Sequence, residues 1–260
     1  MSYAAESQIP EAPNRPVQSL ASRALSVLAG RRACTVAPLV HLLDMLEAGA
    51  LSREPGAPGR ALDRLRRAHV PLQDVAERYV PEVARRMGAK WCDDRMSFAE
   101  VSIGAARLQS LLRDIDRTLT ETEGHRDRPV AGVLVVADAH HTLGAMVLTG
   151  QLRRRGVSVR LSLGQAPAEV AALARTIRFD AVMVSASHTE SLVFLNDMID
   201  KIRKAMPSPV PVVVGGCAVS DSSGAKTTTG ADHICNDPDQ ALRLCGLTGP
   251  TTDLSSAERH

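Results

Sequence analysis

The stretch GVLVVADAHHTLGAMVLTGQLRRRGVSVRL, residues 132–161, decides the fold of the second half of the chain. It opens with a short Val-rich run, continues into a segment of helical length, and ends in a second apolar run. Such runs suit strands that are buried on both faces, as in parallel sheets. The alternation repeats along the chain, with predicted strands at 132–137, 157–161, 181–185, 210–215 and 233–235 and predicted helices at 142–155, 167–177 and 189–205.

This alternation predicts an α/β domain: a doubly wound, flavodoxin-like sheet of five parallel strands with right-handed crossovers. A last helix is predicted to begin at Asp237 as N-cap, with Pro238 in its first turn. Arg153, Arg154 and Arg155 fall at the end of the first helix of this domain. We expect them to be solvated there and to interact favourably with the helix dipole.

The first half of the chain has a helical pattern instead. From Val17 to Leu119, apolar residues recur at steps of three and four, which predicts a bundle of four or five helices. Ser97 and Glu100 are spaced as a capping box at the start of the longest helix. The predicted organisation is a flexible arm at 1–16, a helical bundle at 17–120, the sheet domain at 129–248 and a flexible tail at 249–260.

Composition and charge exclude several classes of protein. The chain has 31 basic and 29 acidic residues, a formal net charge of +2, and only 2% aromatic residues. We therefore do not expect direct binding of nucleic acid, which uses basic surfaces and aromatic stacking platforms. The five cysteines form no CxxC pair and no stretch approaches 18 apolar residues, so zinc knuckles, disulfides and membrane spans are not expected. The N-terminus has no signal-peptide pattern, and we predict a cytoplasmic protein.

Histidines and small residues collect at the carboxyl ends of the predicted strands, where ligands bind in sheets of this type. The first strand leads into His140 and His141, and neutral imidazole is a ready metal ligand. The third strand ends at Ser185, and the fourth ends at Gly215 and Gly216. No GxGxxG or GxxxxGK(S/T) motif follows the first strand, which argues against a dinucleotide enzyme and against a phosphate-cradling NTPase.

Three motifs at these strand ends resemble the pattern of cobalamin-binding domains. His141–Gly144, Ser185–Thr189 and Gly215-Gly216 follow the first, third and fourth strands, as the corresponding motifs do in that family. The resemblance implies that His141 coordinates cobalt from the lower face of the corrin and that the nucleotide tail enters a slot that small residues leave open. The implied cofactor-binding residues are His141, Thr142, Leu143, Gly144, Ser185, Ser187, Thr189, Gly215 and Gly216.

The helical half resembles the cap that precedes the binding domain in the same family. Residues 87–112 carry Trp91, the only Trp of the chain. The resemblance implies that the bundle shields the upper face of the corrin and that Trp91 also binds the cofactor. A Trp in a helical bundle is equally compatible with a place in the core, so both interpretations stay open at this point.

Two segments look most like the PpaA/AerR antirepressors of photosynthetic bacteria. They are HTLGAMVLTGQLRRRGVSVRL (141–161) and WCDDRMSFAEVSIGAARLQ (91–109). The resemblance implies a cobalamin-binding regulator of photosystem gene expression that responds to light or redox state. It also implies that the protein has no catalytic turnover and relieves repression by a DNA-binding partner of the PpsR/CrtJ type.

The ligand motif departs from the family pattern DxHxxG, in which the Asp fixes the tautomer of the His and raises its basicity. If His141 is the ligand, Ala139 stands where the pattern has its Asp. If His140 is the ligand, Asp138 stands at that position, but Gly144 then follows the His by four residues instead of three. The Gly spacing favours His141, so we expect a ligand without an Asp partner. The missing Asp partner favours a sensor over a corrinoid methyl carrier of a methyltransferase system. A haem-binding redox sensor of the same fold is a third alternative, because an axial His would serve haem equally well.

Overall fold

The computed structural model describes five segments of the chain, of which the first holds the helical bundle and the other four hold the sheet domain. They are residues 37–123, 131–139, 141–186, 191–216 and 229–247. The expected arm at 1–16 and tail at 249–260 lie outside them. Within the five segments, no helix is both long and apolar enough to cross a membrane.

The bundle contains five α-helices in its described part. They are α1 (Val40–Leu51), α2 (Ala57–Arg67), α3 (Leu72–Asp74), α4 (Val80–Cys92) and α5 (Phe98–Glu123), and a π-helical turn at Val75–Tyr79 joins α3 to α4. Helix α5 begins where the sequence predicts, because Ser97 and Glu100 form the capping box. The Glu100 N–H donates to Ser97 Oγ over 3.2 Å, and the Ser97 N–H donates to Glu100 Oε2 over 2.9 Å.

The sheet domain follows the predicted alternation of strands and helices. Its elements are β1 (Gly132–Ala137), α6 (Thr142–Arg154), β2 (Ser158–Leu163), α7 (Pro167–Thr176), β3 (Ala181–Ser185), α8 (Ser191–Ala205), β4 (Val212–Gly215), β5 (His233–Ile234) and α9 (Pro238–Leu244). Asp237 caps α9 as expected, since its Oδ1 accepts the Gln240 N–H over 2.6 Å. Strand β4 starts two residues later than predicted, and Pro211 just before it has no N–H to give to the ladder.

All five strands are parallel and stand in the order β2-β1-β3-β4-β5, which confirms the predicted doubly wound sheet. The order reverses between β1 and β3, and ligands bind at such a switch point beyond the carboxyl ends of the strands. Ala137 and Ser185, the last residues of these two strands, are direct neighbours in the sheet. The loop from β1 to α6 therefore lies where a ligand is expected.

Helix α6 connects the sheet to the bundle because it is apolar on more than one face. Ala145 and Leu152 pack against the sheet together with Val133 and Val135 of β1. Met146, on another face, belongs to the apolar core of the bundle. The other face of the sheet is covered by α7 and α8. The sheet and the bundle thus share α6 as a common wall.

The core of the bundle gives a stability prediction. Leu112 of α5 is 1% exposed, whereas Ile103 of the same helix is 51% exposed. Leu112→Ala should lower the free energy of unfolding by about 2–5 kcal/mol because it leaves a cavity. Ile103→Ala should change it by less than about 1 kcal/mol, because exposed positions contribute little packing. Urea unfolding of both variants without cofactor tests this, and equal losses would contradict the described packing.

Candidate cofactor site

His141 lies in the loop after β1 and immediately precedes α6. Its backbone N–H donates to Asp138 Oδ1 over 2.9 Å. Its ring Nδ1 lies 3.0 Å from Asp138 Oδ2 and 3.2 Å from Asp138 Oδ1. The expectation that the ligand has no Asp partner is therefore wrong. In the family pattern the Asp lies two residues before the His. Here the turn brings the carboxylate of Asp138, three residues before His141, to the same ring nitrogen.

This contact determines which nitrogen of His141 can bind a metal. A carboxylate at Nδ1 fixes the tautomer and the ring orientation, which directs Nε2 to the metal and raises its basicity. Among the described residues no cluster of three or more His, Cys, Asp and Glu side chains is arranged to hold a metal ion. A single imidazole would suffice for a metal that a macrocyclic cofactor already holds, as the sequence resemblance implies. His140, the alternative ligand, lies outside the described residues.

A cavity of about 270 Å³ opens beside this loop, between α6, α9 and the ends of β3 and β4. Four of the predicted tail-slot residues line it: Gly144, Ser185, Gly215 and Gly216. Most of the remaining wall is apolar and consists of Pro81, Val147, Leu148, Met183, Val184, Val213, Cys235, Pro238 and Ala241, with Glu77, Gln151, Asn236 and Asp237 as polar members.

The other predicted tail-slot residues do not line the cavity or lie outside the described residues. Thr142 is buried, and its Oγ1 accepts a hydrogen bond of 2.9 Å from Gln109 Nε2 of α5. Leu143 packs against the core of the bundle. Helical periodicity explains this placement, since the cavity face of α6 is formed by the residues that follow Gly144 at steps of three and four. Ser187 and Thr189 lie outside the described residues.

The glycines of the cavity wall lie where the chain is closely packed, so that a side chain would meet neighbouring atoms. A Cβ on Gly144 would stand 3.3 Å from Ser185 Oγ, and a Cβ on Gly215 would stand 2.5 Å from the Cys235 carbonyl oxygen. Gly216 has a φ of +105°, which favours glycine, and its N–H donates to Asn236 Oδ1 over 2.6 Å. Asn236 is a site residue that the sequence analysis did not find, because no motif distinguishes it.

The bundle extends beyond the carboxyl edge of the sheet. Helix α5 runs beside α6, with Gln109 next to Thr142 and Asp116 next to Arg154. The eleven residues before Gln109 therefore reach about 16 Å past the start of α6, on the side where His141 stands. Trp91, near the end of α4, lies beside Phe98 at the start of this extension, with a distance of 6.2 Å between ring centroids, and is 47% exposed. Trp91 is thus not a core residue, and its role in cofactor binding stays a prediction.

A partly buried ionic seam, formed by Arg154, Glu77 and Asp116, joins the bundle to the other end of α6. Arg154 Nη2 lies 2.5 Å from Glu77 Oε1, and Arg154 Nη1 lies 3.3 Å from Asp116 Oδ1. Burial raises the pKa of Asp116, and the Arg154 charge opposes that rise. The expectation that the three arginines are all solvated is wrong for Arg154, whose side chain is only 10% exposed. Sequence alone could not distinguish it, because its partners come from distant helices.

Comparison with known proteins identifies the family. Residues 129–243 match the family of B12 binding domains. An uncharacterized 20.5 kDa protein from the bchF-crtJ intergenic region of Rhodobacter capsulatus is 35% identical over 176 residues, which cover 67% of this chain and 92% of the relative. The chain belongs to the PpaA/AerR family of cobalamin-binding proteins.

Membership of the PpaA/AerR family gives the cofactor as cobalamin, and the described residues fit it. The monomethylamine corrinoid protein of Methanosarcina barkeri shares the fold: it is 17% identical, with a TM-score of 0.60, and the match covers 78% of this chain and 94% of that one. The glycine-lined cavity suits a nucleotide tail, whereas haem has no tail to place in it. His141 with Asp138 would hold cobalt from below.

The Asp138–His141 contact predicts how ligand variants bind cobalamin. His141→Ala should abolish the change in the absorption spectrum of cobalamin that imidazole coordination produces. It should also abolish the retention of cobalamin by the protein through desalting. Asp138→Ala should weaken binding by about 10- to 100-fold, as loss of a carboxylate behind a metal-bound His does. Equilibrium titration of the full chain measures both effects, with His41→Ala as the control at an exposed His of α1.

His140→Ala distinguishes the two adjacent histidines. It should bind cobalamin as the unmodified chain does. If the spectral change of imidazole coordination were absent in His140→Ala and present in His141→Ala, His140 would be the ligand. That result would contradict the assignment to His141.

Proposed function

We propose that this protein is a cobalamin-dependent regulator of photosystem gene expression that acts without catalytic turnover. It works in the cytoplasm as an antirepressor, and its partner is a DNA-binding repressor of the PpsR/CrtJ type. Bound cobalamin would supply the response to light or to oxidation state, and His141 with Asp138 would hold it. The residues of the chain convert that response into a change in affinity for the repressor.

The observation that carries the proposal is the hydrogen bond from Gln109 to Thr142. Thr142 immediately follows His141, so the residue predicted to hold cobalt is one peptide bond away from a contact with the bundle. Gln109 lies on α5, the helix whose first turns extend past the start of α6. A displacement of His141 would therefore act on α5 through this contact.

The seam between α6 and the bundle supports a two-state response. Its polar contacts are geometrically specific: the Gln109–Thr142 and Gln151–Glu77 hydrogen bonds, and the Arg154 ion pairs with Glu77 and Asp116. Charged hydrogen bonds of this kind are lost over small displacements, whereas the apolar contacts around Met146 persist. A difference of about 1–3 kcal/mol between two arrangements would give the 5- to 150-fold change in partner affinity that is typical of allosteric proteins.

The gene context of the relative supports the choice of partner. The Rhodobacter capsulatus protein is named for the region between bchF and crtJ, and CrtJ is one of the two names of the repressor type. The balanced charge of the present chain, +2 overall, also favours action through a DNA-binding protein over direct contact with DNA.

A corrinoid methyl carrier is the second candidate, and one observation favours it. The Asp138–His141 contact removes the sequence argument against it, because the ligand has the carboxylate support that a cycling cobalt requires. A carrier must also present the upper face of the corrin to partner enzymes. Reductive activation and methyl transfer in the presence of methyltransferases would support this candidate.

Measuring repressor binding tests the proposal. The full chain is loaded with adenosylcobalamin in the dark and titrated against a purified repressor of the PpsR/CrtJ type, before and after illumination and again after reduction. We expect Kd to change by about 5- to 150-fold in at least one treatment. Gln109→Leu should retain the cobalamin spectrum and reduce the change in Kd, whereas Gln73→Leu, at an exposed Gln of α3, should not.

Constant Kd in light, dark and reduced samples would contradict the regulator. If the same samples transferred methyl groups, the carrier would replace it. Retention of a Soret band with no corrin bands would favour the haem-binding sensor instead.

A further inference from the structure

The end of the cavity away from Gly144 carries a polar pair, whereas most of the cavity wall is apolar. Gly144 is exposed, and the half-buried Gln151 lies seven residues further along the same helix, about 10 Å away. Glu77 lines the cavity beside Gln151. Between Gly144 and Gln151, the wall carries Val147 and Met183. A tail that enters past Gly144 and follows α6 would pass these apolar side chains before it reaches the carboxylate–amide pair.

This pair is held in place by the ionic seam. Gln151 Nε2 donates to Glu77 Oε2 over 3.1 Å, while Glu77 Oε1 is engaged by Arg154. Within the described part of the chain this is the one side-chain hydrogen bond of Gln151. Its second amide N–H and its carbonyl oxygen are therefore available to a ligand, with the orientation of the amide set by Glu77.

Glu77 reaches the cavity from the bundle and not from the sheet domain. It lies in the π-helical turn at Val75–Tyr79, and π turns often occur at functional sites because they redirect side chains. Pro81, in the first turn of α4, lines the cavity next to it. The tail slot is therefore completed by the bundle, although the residues of the family motif all lie in the sheet domain.

We propose that Gln151 recognises the lower base of the cofactor's nucleotide tail and that Glu77 is its positioning residue. An amide presents a donor and an acceptor side by side, which matches a base with a ring nitrogen beside an amino group, such as adenine. Dimethylbenzimidazole has ring nitrogens but no amino group, so it can accept from the amide and cannot donate to it. The site would thus take corrinoids with either base and favour the base that uses both amide groups.

Titration with three corrinoids tests the proposal. The full chain without cofactor is titrated with cobalamin, with its adenine-bearing analogue and with cobinamide, which has no nucleotide. In Gln151→Leu, the affinity for the adenine form relative to cobalamin should fall about 3- to 10-fold, the usual effect of one hydrogen bond. The affinity for cobinamide should stay unchanged.

Variants of Glu77 separate positioning from structure. Glu77→Gln keeps a hydrogen-bond acceptor for Gln151 and should preserve most of the base preference, whereas Glu77→Leu should abolish it. Glu82→Gln on α4, whose partner is Arg85, is the matched control. If Glu77→Leu fails to fold because Arg154 loses its partner, Gln151→Leu decides alone, since it leaves the Arg154–Glu77 pair intact. An unchanged base preference in Gln151→Leu, or an equal loss for cobinamide, would overturn the proposal.

Discussion

Helix α6 meets three parts of the molecule at once, and the organisation of the protein depends on this constraint. It packs on the sheet through Ala145 and Leu152, on the bundle through Met146, and it lines the cavity from Gly144 to Gln151. A helix packed on both the sheet and the bundle cannot slide without losing contacts to both and changing the cavity, because packed interfaces change between discrete arrangements. His141 stands at the N-terminus of this helix, so its position is set by the whole assembly.

The turn from β1 to α6 places Asp138 behind His141 although the family spacing is absent. Backbone and side chain both take part, since Asp138 accepts from the His141 N–H and also approaches Nδ1. One carboxylate thus fixes the start of the helix and the orientation of the ring. The basicity of the ligand therefore does not discriminate between a sensor and a carrier.

Most of the fold was predictable from the sequence because its signals are local. Val-rich runs specify β1 and β3 to the residue, and the Ser97–Glu100 box specifies the start of α5. The glycines and Ser185 of the cavity were predictable from their places at strand ends. The Asp138 contact was not, because it depends on the conformation of a short loop. The burial of Arg154 was not either, because its partners lie 77 and 38 residues away along the chain.

The ionic seam is better explained by specificity than by stability. Burying Arg154, Glu77 and Asp116 costs desolvation that their attraction roughly offsets, and Arg154 Nε has no partner within the described residues. Apolar residues of similar size would hold α6 and the bundle together at least as well. An ion cluster, however, favours one relative position of α6 and the bundle, because in other positions its charges would be desolvated and unpaired. The cluster also holds Glu77 at the cavity. The relative position of α6 and the bundle that pairs these charges therefore also completes the tail slot. If the nucleotide tail occupies this slot, linkage predicts that it stabilises the packing of the bundle on α6, because a ligand stabilises the arrangement that binds it.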